Sequence, residues 1–93
     1  MSAKVRKHLY ISGKVQGVGF RWYTSEKAAY LGIKGWVKNL SDGRVEAIIS
    51  GDKDKVKKMI DFISIGSPLA QVKKVEVIDE DYQGEFKKFK TKY

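Results

Sequence analysis

Residues 13–21 read Gly-Lys-Val-Gln-Gly-Val-Gly-Phe-Arg, and they are the first stretch whose composition suggests chemistry. Gly17 and Gly19, one residue apart, let the backbone curl until successive N–H groups point inward. The residues that follow have helical spacing, so free N-terminal N–H groups and the positive end of a helix dipole are added at the same point. An anion with several oxygens fits such a turn from Gln16 to Arg21. Arg21 falls in the first helical turn, where its guanidinium can give two parallel hydrogen bonds to phosphate oxygens while staying ionised. An arginine on the solvent face of the helix satisfies the same spacing, and a Gly-x-Gly by itself is weak evidence. Other phosphate motifs fail: no Gly-Lys-Ser/Thr is present, and Trp22 occupies the third glycine position of a dinucleotide fingerprint.

The second residue of interest is Asn39. Counting in twos from Ile33, Gly35 and Val37 puts its amide on their apolar face, where it needs hydrogen-bonding partners. An asparagine bonding the neighbouring Ser41-Asp42-Gly43 turn explains it equally. His8, the single histidine, lies in a strand pattern beside Arg6 and Tyr10 and reads as an exposed strand residue rather than a catalytic base.

These residues need elements to position them. Val5, Leu9 and Ile11 alternate with polar neighbours, a strand with one buried face. From Phe20 to Leu31 the spacing predicts a helix with Phe20, Thr24, Ala28 and Leu31 as its apolar stripe, stopped by Gly32. Two alternating runs around Asp42-Gly43 predict a hairpin. A second helix, capped by Asp52 or Asp54, carries Val56, Met59, Ile60 and Ile63 on one face and ends at Gly66. Residues 72–78 read as a fourth strand and residues 86–93 as a short, lysine-rich edge strand. The expected fold is α+β: a ferredoxin-like split β-α-β sandwich, β-α-β-β-α-β plus a short C-terminal strand, with an antiparallel sheet and two helices on one face.

Composition bounds the rest. A chain of 93 residues with 42% hydrophobic and 32% charged residues is one ordinary globular domain, residues 1–93, with no apolar run long enough to span a bilayer. The expected location is cytoplasmic. The chain contains no cysteine, which excludes disulfides and thiolate metal sites. One histidine argues against zinc or copper, and Asp79-Glu80-Asp81 reads as a solvated acidic turn rather than a magnesium site. The net charge is +8, and residues 1–25 contain no acid, so anions are the favoured partners.

Set side by side, the two candidate segments resemble a known family. Ile11-x-Gly13-x-Val15-Gln16-Gly17-Val18-x-Phe20-Arg21 is similar to the first signature of acylphosphatases. Gly35-Trp36-Val37-Lys38-Asn39, followed by Gly43-x-Val45 and Gly51, is similar to the second. The resemblance implies hydrolysis of the carboxyl–phosphate bond of small acyl phosphates without metal or cofactor. It carries the phosphate-binding arginine onto Arg21 and the water-orienting asparagine onto Asn39. Gln16, Gly17, Val18, Gly19 and Phe20 become the substrate-binding cradle. The expected partners are an acyl phosphate and inorganic phosphate, acting on a monomer, with no membrane and no nucleic acid. RNA-recognition domains share the element order, but they need aromatic residues on the third strand, and residues 44–50 have none. One departure is polar Thr91, where similar proteins often carry an apolar residue.

Overall fold

The computed structural model describes residues 3–93. Seven elements follow one another: β1 (Lys4–Lys14), α1 (Phe20–Leu31), β2 (Lys34–Asn39), β3 (Val45–Asp52), α2 (Lys53–Ile65), β4 (Gln71–Glu80) and β5 (Phe89–Thr91). The strands form one sheet in the order β4-β1-β3-β2-β5. Odd-numbered residues of β1 to β3, among them Leu9, Ile11, Val37, Val45, Ala47 and Ile49, meet the buried stripes of the two helices. On α1 that stripe is Phe20, Thr24, Ala28 and Leu31, and on α2 it is Val56, Met59 and Ile63, as the helical spacing predicts. Burying each large aliphatic of this set contributes about 1.5–3 kcal/mol relative to exposure. Thr24 sits in this apolar layer because its hydroxyl donates to the Phe20 carbonyl one turn back, at 2.8 Å.

Five expectations are corrected. The sheet is mixed rather than antiparallel, because β5 pairs parallel to β2, with Gly35 opposite Phe89. Register explains the direction. Glu80 at the end of β4 lies beside Arg6, Arg6 beside Ser50, and Ser50 beside Lys34 at the start of β2. The chain leaving β4 therefore crosses along that end of the sheet and re-enters next to the beginning of β2, so it must run the same way. Strand β5 is also shorter than the 86–93 expected, spanning three residues.

His8 is half-buried rather than exposed. Its Nε2 lies 2.6 Å from Glu46 and its Nδ1 3.1 Å from Glu80, the three side chains meeting across the helix-free face of the sheet. Asp79 and Glu80 belong to β4 rather than to a solvated turn; they pair with Lys7 and with Arg6 and His8. Asp52 takes the N-cap position of α2, but its carboxylate is bonded by Lys4 instead of capping the helix.

Candidate active site

The bulged end of β1 delivers the chain into the turn that precedes α1. Gly17 (φ 71°) and Gly19 (φ 74°) are both left-handed, while Val18 between them is not. That alternation aims successive N–H groups into one concavity. A side chain at either glycine would meet open space, so it is the backbone angle and not crowding that requires glycine here. Gly19 is the N-cap of α1 and provides no side-chain hydrogen bond, and the first turn carries no acid. The amides that open the helix are thus uncapped, at the positive end of its dipole.

Gly17, Gly19, Phe20 and Arg21 line one cavity of about 270 Å³ together with Asn39 from the end of β2. Sequence parity put Asn39 on the helix side of the sheet, and there it is: exposed at the rim, two residues beyond Val37, the last buried position of β2. The neighbouring turn is closed by other groups, through Leu40 N–H to the Arg44 carbonyl and Gly43 N–H to the Leu40 carbonyl.

Gln16 and Val18 flank the cavity. The Gln16 amide nitrogen donates to the carbonyls of Leu40 (2.7 Å) and Arg44 (2.9 Å), tying the cradle to the turn after Asn39. Val18 sends its side chain into the core, and its carbonyl accepts a hydrogen bond from buried Ser67 at 2.9 Å. The cradle is thereby anchored from two sides, by the β2–β3 turn and by the α2–β4 connection.

Arg21 is held as well. Its Nη1 donates to the Lys92 carbonyl at 3.0 Å, and its guanidinium carbon sits 4.6 Å from the centre of the Tyr93 ring. A guanidinium has five N–H donors, so one bond to a carbonyl leaves most of the fork for an anion. Its partners are neutral, so its positive charge is not cancelled by a carboxylate. Among the described residues, none that lines the cavity has an acidic side chain.

Five lining residues lie outside the set of site residues expected from the sequence: Val15, Trp22, Ser25, Thr91 and Tyr93. The hydroxyls of Ser25 and Thr91 lie 2.7 Å apart. Ser25 is one helical turn beyond Arg21, a spacing that puts both on the same side of α1. Thr91 was visible as a polar residue where an apolar one was expected; its partner explains it. No group of three or more histidine, aspartate or glutamate side chains able to hold a metal ion occurs among the described residues.

The fold and the cavity together define an α+β domain with a glycine-built anion cradle, one uncompensated arginine and a facing amide. Comparison with known proteins makes the assignment specific. The family model described as Acylphosphatase matches residues 7–91. An acylphosphatase of Syntrophobacter fumaroxidans is 53% identical over 90 residues, covering 97% of this chain and 93% of that protein. Among solved structures, the acylphosphatase of Bacillus subtilis superimposes with a TM-score of 0.92 at 30% identity, over 96% of this chain and 99% of the other. An acylphosphatase from Coxiella burnetii gives 0.91 at 35% identity, over 96% and 93%. The chain belongs to the acylphosphatase family, and it is an enzyme with that family's activity. No helix is long and apolar enough to cross a membrane among the described residues.

Proposed function

We propose that this enzyme hydrolyses the carboxyl–phosphate bond of small acyl phosphates at the 270 Å³ cavity, using Arg21 and backbone amides for the phosphoryl group and Asn39 for the water. The observation that carries the reading is the meeting of Arg21 and Asn39, from two separate elements, on one glycine-built cradle. The departing carboxylate is a weak base near neutral pH, so a general acid is dispensable. What remains is to stabilise charge on the phosphoryl oxygens and to align a nucleophile. Arg21 and the N–H groups of Gly17, Val18, Gly19 and Phe20 do the first. The Asn39 amide does the second, since it can donate and accept at once without setting a negative charge against the phosphate. The water attacks phosphorus, its proton passes to a phosphate oxygen, and the P–O bond to the acyl group breaks, leaving carboxylate and inorganic phosphate. No metal takes part in this scheme. In this reading the enzyme acts as a monomer in the cytoplasm.

The test is hydrolysis of a simple aryl acyl phosphate with chelator present. Arg21→Ala and Asn39→Ala should each lower kcat by on the order of a hundredfold or more while remaining folded. Full activity in Arg21→Ala would refute the assignment of the cradle.

A further inference from the structure

On the opposite side of the sheet from the cradle lies a second, larger cavity of about 620 Å³. Trp36 of β2 and Phe86 of the β4–β5 crossing supply its apolar surfaces, and Lys87, Lys88, Lys90 and Lys92 border it. Trp36 is paired with Lys90 and Ile48, which fixes its ring on the helix-free face. The indole is not covered by protein carbon alone: Lys92 Nζ lies 4.4 Å and Lys38 Nζ 5.3 Å from its ring centre. Among the described residues Glu85 is the single acid at the cavity, and Arg6 pairs with it at 3.2 Å. None of the four bordering lysines is in an ion pair among the described residues. The result is an aromatic-walled groove with a row of unpaired positive charge along one side.

We propose that this groove binds single-stranded nucleic acid, one base stacking on Trp36 and the backbone phosphates meeting the β5 lysines. An inorganic anion would use the lysines and leave the two aromatic surfaces idle, whereas a nucleotide unit uses both. A strand rather than a free nucleotide is favoured by the row itself. Lys88, Lys90 and Lys92 all border the groove, Lys90 within β5 and the other two next to its ends, and two residues of strand span about 6.6 Å, so they can meet successive phosphates. Base stacking on the third strand stays excluded by its sequence; here the stacking surface comes from β2 and the crossing instead. The lysines now resting on the indole would move to phosphates when a base takes the ring face.

The probe is a fluorescently labelled oligouridylate of about ten nucleotides, followed by anisotropy at low salt, with enough inorganic phosphate present to fill the catalytic cradle. Binding should persist under phosphate and weaken about tenfold in Trp36→Leu. In the Lys88→Gln/Lys90→Gln double variant the log–log salt slope should flatten by about 1.4, roughly 0.7 for each phosphate left without its lysine. Acyl phosphate hydrolysis, which uses the other side of the sheet, should be unchanged in both variants and serves as the check on folding. Loss of all binding on adding phosphate would move the interaction to the cradle and overturn the proposal. Equal competition by linear polyphosphate, with Trp36→Leu indistinguishable from wild type, would overturn it too, as would no binding at low salt.

Discussion

Gln16→Met separates two roles for a residue at the mouth of the cradle. The substitution keeps the length and the methylenes of the side chain and removes only its amide. Two hydrogen bonds are lost, to the carbonyls of Leu40 at 2.7 Å and Arg44 at 2.9 Å. Neither carbonyl is orphaned, because Leu40 O also accepts from Gly43 N–H and Arg44 O from Leu40 N–H. The penalty of an unpaired buried acceptor is therefore absent, and two ordinary bonds come to about 1–2 kcal/mol. For a domain of this size that lowers Tm by about 5–15 °C. The catalytic effect should fall on kcat. Asn39 immediately precedes Leu40, so loosening the turn blurs the aim of the water while leaving Arg21 and the loop amides in place. A loss on the order of tenfold in kcat is expected from such misplacement, with little change in inhibition by inorganic phosphate. Thermal melts and steady-state hydrolysis with phosphate as inhibitor measure both. An unchanged Tm together with collapse of phosphate affinity would refute this reasoning, because it would mean that Gln16 touches the ligand instead of bracing the turn.

Gly19→Ala should destabilise by about 1–2 kcal/mol, read as a shift of the urea midpoint, since the cost lies in the left-handed backbone and not in a clash. Ser67→Ala should cost about 1–3 kcal/mol in the same assay, because it leaves the Val18 carbonyl without its buried donor. Glu46 tests the sheet's ionic cluster. Burial pushes its carboxyl up, but hydrogen bonding from His8 and the charge of Lys38 outweigh burial and hold it below the ordinary 4.5. A lowered folded value means stability present in full above pH 4.5 and lost as pH falls through that lower value. The stability difference between wild type and Glu46→Gln should therefore shrink on acidification below that point; a difference independent of pH would argue against an ionised Glu46 in the cluster.

What the sequence disclosed, and what it withheld, divides by the range of the forces involved. The α1 stripe from Phe20 to Leu31 and the hairpin around Asp42-Gly43 were readable because periodicity and turn chemistry are local. Asn39 was readable for the same reason: parity along one strand decides its side of the sheet. The direction of β5 was not, since it depends on which end of the sheet the crossing from β4 follows. Nor was the environment of His8, whose partners Glu46 and Glu80 come from two other strands and are set by register. Ser25 carried a faint signal in its spacing from Arg21, but a serine on a helix surface is common enough to hide it. Thr91 broke the apolar pattern, and only the fold supplied the hydroxyl that it meets.

The tether between Arg21 and the Lys92 carbonyl also bears on when the site comes into being. A chain synthesised from its N-terminus releases the glycine turn early, but the oxygen that orients its guanidinium follows 71 positions later. Pairing of β5 with β2 must come first, and closing so long a stretch is among the slower steps open to a small domain. A nascent or partly folded chain thus has its phosphate loop without a fixed arginine. Catalytic competence is a property of the finished sheet, and recovery of activity during refolding should trail the burial of the core.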